Sequence, residues 1–413
     1  MQSHSDRNPC VPLKEADGPL HSYIPDFTDS LANRGYSKAC IAYKFCLVRA
    51  FDQWMRQHQI KMEGFTETRI QEFIRHRAKR YSKQRGDAAT LRSLLKHLQE
   101  SDVVSYLQPR MSPLDHLQLR FAQHLTEQRG LRPKSVRQYL FHTRRFLLER
   151  FVDGPYSLSE LNAQDIVRCI LRQARIVSPH AARCMAKALR SLLRFLQQNG
   201  EIATDLAARV PSVANWNLSG LPKYLLPQQV NLVLRKSNQN DPIVRRDRVI
   251  LLLLARLGLR AAEIVEMRLD DIDWEAGELT IRGKGGRLDK LPLPKDVGHA
   301  LAHYLKQLRP ACTCRKVFIR SAAPHEGLTD SAAVDIVVQR ALRRAGINPP
   351  NRGAHLFRHS LATQMLRNGA SMSEIAKVLR HQSESSTAIY AKVDLSALRS
   401  IAQPWPGGAA WVS

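Results

Sequence analysis

In the stretch AHLFRHSLATQML, His355, Arg358 and His359 stand three and four positions apart with apolar residues between them. That spacing puts all three on one face of a single helix. Two histidines at i and i+4 can hold a metal, but the zinc pattern H-E-x-x-H wants a Glu where this chain has Leu356. Apolar bulk in place of that Glu, with a cation added, argues for an anionic ligand. A phosphate takes bidentate hydrogen bonds from Arg and a donor of adjustable protonation from His. Taken alone, the stretch leaves open a helix whose polar face is merely packed.

Other residues break the tie. LARLGLRAAEIVEM puts Arg260 just after an apolar run and a Gly, where the start of a following helix would add positive potential. Glu263 lies one turn on, spaced to hold or orient a partner. IRGKGGRLDKLPLP sets Lys284 at the tip of a Gly-rich turn, an exposed place for an ammonium donor. VLRHQSESSTAIYAKVD supplies His381 and, nine residues later, Tyr390. A lone tyrosine in a helical stretch is ordinarily core, so Tyr390 draws its weight from the agreement of the other positions.

Several elements must position these groups. The run VILLLLA, residues 249–255, is too short to span a bilayer and reads as a buried helix. LPQQVNLVL opens a further helix with Pro227 at its first position. LTI and KLPL alternate as strands about the Lys284 turn, and everything after 296 reads as helix. Upstream the chain is all helical and carries an internal echo: TLRSLLKHLQ (90–99) and ALRSLLRFLQ (188–197) share seven of ten residues. An Arg-Gly pair precedes each, at 34–35 and 129–130, so a duplicated helical unit is the expectation. The stretch 203–225 has little periodicity and two prolines, and reads as a linker.

Composition sets the class of partner. Lys and Arg number 63 against 37 Asp and Glu, a net charge of +26, while 44% of residues are apolar. A folded chain this basic points to a polyanion, most commonly nucleic acid. Seven cysteines form no disulfide framework and suit a reducing cytoplasm. Cys312 and Cys314 lack a second ligand pair, which leaves a zinc reading weak. The N-terminus shows no apolar core of a signal peptide.

Together, G-L-R-x-x-E, the Lys turn, H-x-x-R-H, a late His and S-T-x-x-Y resemble the tyrosine recombinase (phage integrase) family, in its order and at its spacings. The resemblance covers roughly 221–395 closely and 110–202 more loosely. It implies a mainly α fold with a small antiparallel β-sheet in the catalytic domain, and a multi-domain, C-shaped DNA clamp. The implied organisation is an N-terminal tail (1–19), a helical core-binding-like domain and candidate duplicate (20–105), a helical core-binding domain (110–202), a linker (203–220), the catalytic domain (221–395) and a C-terminal tail (396–413).

The same resemblance implies a site-specific recombinase that cuts and rejoins DNA through a 3′-phosphotyrosyl bond, serving integration, excision or transposition of a mobile element. Tyr390 would be the nucleophile, Arg260 and Arg358 the phosphate clamp and Lys284 the acid for the departing 5′-oxygen. His355 and His381 would assist, and Glu263 would steady the set. No metal or other cofactor is implied. Implied partners are double-stranded DNA, a homo-tetramer on paired sites, and accessory DNA-bending or partner recombinase proteins, in a bacterial cytoplasm with no membrane. The short apolar stripe Leu395, Leu398, Ile401 would dock into a neighbouring protomer. Two positions stand out: Arg380 replaces the family's usual Gly as a cation that could reach DNA phosphate, and His359 reads as structural. A type IB topoisomerase and a catalytically silent DNA-binding accessory protein remain the alternatives.

Overall fold

The computed structural model describes residues 18–79, 81, 86–104, 111–151, 157–213, 222–283, 286–381 and 386–393. The chain divides into two compact units, Met1–Ser105 with Leu221–Ser413, and Tyr106–Gly220. The first helical stretch thus groups with the residues that carry the candidate site.

That first stretch holds α1 (Ile24–Asn33), α2 (Lys38–Gln57), α3 (Glu67–Arg77) and α4 (Asp87–Glu100). Ser37 and Thr66 start α2 and α3 by accepting hydrogen bonds from the Cys40 and Arg69 N–H groups. The apolar stripes meet in a core of Phe27, Phe51, Phe65, Phe73, Leu91 and Leu94, each side chain contributing about 1.5–3 kcal/mol on burial. The turn after α1 docks on the segment 323–326: the His325 N–H donates to the Arg34 carbonyl at 2.9 Å and Arg34 pairs with Glu326 at 3.3 Å. Gly35 is required there. Its φ is +84°, and a Cβ would lie 2.0 Å from the His325 ring.

The second unit repeats the order with α5 (Pro113–Gln123), α6 (Pro133–Arg150), α7 (Ala163–Ala174) and α8 (Pro179–Gln198). Gly130 takes a positive φ, as Gly35 does, and the echoed segments form α4 and α8. The expected linker is only partly one. Leu206, Ala207 and Val210 are buried in this unit's core, and Arg190 donates to the Val210 and Pro211 carbonyls.

The remainder contains α9 (Pro227–Lys236), α10 (Pro242–Leu257), α11 (Ala261–Glu266), β1 (Ile272–Asp273), β2 (Glu278–Arg282), β3 (Leu288–Pro292), α12 (Lys295–His303), α13 (Ser331–Arg344), α14 (His355–Arg367), α15 (Met372–Leu379) and a 3-10 segment, Ala388–Val393. The strands form one antiparallel sheet in the order β1-β2-β3, with Thr280 opposite Lys290. One expectation needs correction: 309–330 is largely irregular rather than helical, anchored by bridges such as Ile319 to Gly327. The two-residue β1 carries too little pattern to be read from sequence. The run Val249–Leu254 is fully buried, and α10 forms the centre of the core.

Among the described residues, no helix is long and apolar enough to cross a membrane.

Candidate active site

Helix α10 ends at Gly258, whose left-handed conformation (φ +57°) lets the chain turn where a Cβ would come 2.7 Å from Leu379 Cδ2. Two residues on, Arg260 precedes α11. The Arg260 N–H donates to Glu263 Oε2 at 2.8 Å, and Arg260 Nη1 donates to Glu263 Oε1 at 2.7 Å. Arg260 Nη2 reaches the Arg380 carbonyl at 3.2 Å. Glu263, expected to hold or orient a partner, thus forms a direct i, i+3 ion pair with Arg260. The Arg260 side chain remains 31% exposed.

Arg358 and His355 come from α14. Arg358, 3% exposed, donates to the carbonyls of Gly258 and Leu379 and so joins the ends of α10 and α15 through the middle of α14. Two of its five N–H donors are used in this way. Burial and the charge of Arg260 bring its pKa down to about 10. His355 lies 6.2 Å from the His359 ring and is pushed below the usual imidazole range by burial and then by Arg358.

Tyr390 sits in the Ala388–Val393 segment, 1% exposed, on a small cluster formed with Ala362, Ile375 and Leu379. Its hydroxyl lies 2.9 Å from His359 Nδ1. Burial pushes the phenol up to about 12, with Arg358 pulling the other way. Burial, His355 and Arg358 hold His359 down at about 4, so it is neutral near pH 7. A neutral imidazole facing a phenol that cannot ionise unaided is an arrangement for proton transfer. The reading of His359 as structural therefore missed its neighbour, because nothing local in the sequence signals a contact across 31 positions.

His381 follows α15, its Nδ1 2.7 Å from Thr387 Oγ1 and its ring 6.4 Å from that of Tyr390. Burial, then Arg358 and Arg260, hold it at about 4. Arg380 departs from expectation. Instead of reaching outward for phosphate, it turns inward and donates to Glu263 Oε2 at 2.9 Å with only 6% of its side chain exposed.

The fold thus gathers Arg260, Glu263, His355, Arg358, His381 and Tyr390 around one place. Lys284 lies outside the described residues, as does the apolar stripe Leu395, Leu398, Ile401. The start of β3 borders the site: a cleft of about 690 Å³ is lined by Arg287 and Asp289 beside Lys377, Arg380, His381 and Thr387. Among the described residues, no three His, Cys, Asp or Glu side chains cluster closely enough to hold a metal ion.

Cationic donors gathered near a tyrosine hydroxyl and a neutral histidine are the kind of set that phosphoryl transfer to a protein nucleophile requires. The model of the Phage integrase family matches residues 223–396. The chain is 39% identical over 396 residues to a putative integrase/recombinase, y4rA, of Sinorhizobium fredii, covering 95% of this chain and 96% of the relative. It is 31% identical over 307 residues to the tyrosine recombinase XerD of Mycobacterium tuberculosis, covering 70% of this chain and 95% of XerD. In fold it is similar to a lambda integrase tetramer solved on a Holliday junction, with a TM-score of 0.51 at 17% identity over 75% of this chain and 88% of that one. The chain belongs to the tyrosine recombinase (phage integrase) family, whose enzymes break and rejoin DNA strands.

Proposed function

We propose that Tyr390 attacks a scissile DNA phosphodiester. The Tyr390–phosphorus bond forms, the bond to the 5′-oxygen breaks, and the products are a 3′-phosphotyrosyl strand and a free 5′-hydroxyl. His359 takes the phenol proton, and Arg260 and Arg358 stabilise the charge that builds on the non-bridging oxygens. Lys284, on the strength of the family resemblance, protonates the departing oxygen. His355 and His381 hydrogen-bond the phosphate, and Glu263 orients Arg260. The observation that carries this reading is the 2.9 Å approach of Tyr390 Oη to a histidine held neutral beside Arg358.

The same phosphotyrosyl bond stores the energy for rejoining, so strand exchange needs four protomers, each with one tyrosine, on two double-stranded DNA sites. The tetrameric lambda integrase supports that assembly. Docking of the segment after Asp394 into a neighbour would close the ring. The relatives' names, integrase/recombinase and tyrosine recombinase, favour recombination over topoisomerase-like relaxation, and integration, excision or transposition of a mobile element is the role we propose. We assign 20–105 and 110–202 as two core-binding-like domains and 221–395 as the catalytic domain.

The test uses a nicked duplex captured by the full-length protein from a randomised library in EDTA. Wild type should form a covalent protein–DNA band, and Tyr390→Phe should bind the duplex normally and form none. A band from the Phe variant would overturn the assignment.

A further inference from the structure

Arg380 occupies a position that local energetics gives to glycine. It is the residue after α15, with φ +55° and ψ +49°, and its N–H and that of His381 close the helix onto the Lys377 and Ala376 carbonyls. A side chain in this left-handed region is uncommon and is normally avoided at a helix end. The position is unfavourable in a second way, because Arg380 Nε is buried without a hydrogen-bond partner among the described residues. Strain of this kind persists where the surroundings over-determine it, and it points to what the side chain does. Arg380 Nη1 merely reaches the Val378 carbonyl nearby, whereas Nη2 bonds Glu263, 117 positions away.

Glu263, 4% exposed, thus receives the Arg260 guanidinium on Oε1 and the Arg380 guanidinium, beside the Arg260 N–H, on Oε2. A carboxylate paired with Arg260 alone would cancel the charge that Arg260 offers to a phosphate. A second guanidinium on the same carboxylate leaves the three-group cluster with a net positive charge. Arg380 also links the two halves of the site, since its carbonyl accepts from Arg260 and its neighbour is His381.

We propose that Arg380 is a positioning residue for phosphate recognition: by sharing Glu263 it frees the charge of Arg260 for the phosphodiester and ties the turn that carries His381 to the same anchor. This rests on the phosphodiester reading above. Because Arg380 is buried, it contributes to the transition state without touching DNA.

The test is made on the full-length protein with the duplex captured covalently by wild type, and with the same duplex carrying an uncharged methylphosphonate at the scissile position. Arg380→Gly keeps the left-handed turn and removes the guanidinium. Its melting temperature should equal or exceed that of wild type, and its DNA affinity and salt dependence should be unchanged. A direct phosphate contact would instead lower the salt slope by about 0.9. Adduct formation on the phosphate duplex should slow about 10- to 100-fold, less than the 10²–10³ lost with a direct donor. On the methylphosphonate duplex the defect should shrink to within about twofold, because little charge remains for Arg260 to meet. Arg380→Lys should recover part of the rate.

A wild-type rate for Arg380→Gly on the phosphate duplex would overturn the proposal. An equal loss on both duplexes would also overturn it, by showing a merely structural role. If the Gly variant does not fold, Arg380→Asn, which tolerates the left-handed region, is judged by the same criteria. Failure of the wild-type protein to form any adduct would overturn the phosphodiester reading and this inference with it, whereas a wild-type adduct with an unimpaired Gly variant overturns this inference alone.

Discussion

Two arginines face the same proposed phosphate from different kinds of surroundings. Arg358 is 3% exposed and donates to two backbone carbonyls, those of Gly258 and Leu379, which end two different helices. The Arg260 side chain is 31% exposed and is held mainly by another side chain, Glu263. The first arginine is part of how the helices meet, and the second is mounted on a finished scaffold. A shared chemical role therefore does not imply a shared structural one. In the Arg358 region the proposed phosphate donor is also a structural tie, whereas in the Arg260 region the two roles separate.

Substitution should expose the difference. Arg358→Ala is expected to slow adduct formation at least 10²–10³-fold by removing a transition-state donor. It should also destabilise the chain, by about 1–3 kcal/mol for each buried carbonyl left without its donor. Arg260→Ala should show the same 10²–10³ loss in rate with a much smaller stability change, about 1 kcal/mol, because Glu263 keeps Arg380 and the backbone N–H of residue 260. Thermal unfolding measured beside single-turnover cleavage checks both. Equal stability losses would erase the distinction.

A smaller effect is expected at His359, which belongs to the Arg358 region. His359→Gln should slow adduct formation about 10²-fold, the low end for loss of a general base, and leave DNA affinity unchanged. The pH dependence of stability follows from the same residue. The folded-state pKa of His359 is about 4, below that of an exposed imidazole near 6.5, so between these values the unfolded chain binds a proton that the folded chain refuses. That contribution to stability is full above about pH 6.5 and is lost as pH falls toward 4. Arg358 contributes to the depression and Arg260 is not among its causes. Arg358→Ala should therefore flatten this acid limb more than Arg260→Ala does, as melting curves from pH 4 to 7 would show.

The contrast also marks what could be read from sequence. Helical periodicity made α14 legible, with His355, Arg358 and His359 on one face, and the Gly258–Arg260–Glu263 spacing announced a helix start with Glu263 one turn on to hold a partner, which the structure identifies as Arg260. Alternation about Gly-rich residues marked β2 and β3. What stayed hidden was set by long-range packing. His359 meets Tyr390 across 31 positions, and Arg380 turns inward because Glu263 waits 117 positions away. Leu206 and Val210 lie in the second unit's core although their stretch has no period. A period can show which residues share a face, but not what that face will meet.

The proposed chemistry depends on Tyr390, buried against His359, being the nucleophile that bonds to DNA. The most direct measurement is to trap the wild-type adduct on the nicked duplex, digest the protein and the DNA, and locate the nucleotide-bearing peptide by mass spectrometry. A single modified residue is expected, Tyr390, joined to a 3′-phosphate. A nucleotide on any other side chain, or a tyrosine joined to a 5′-phosphate, would contradict it.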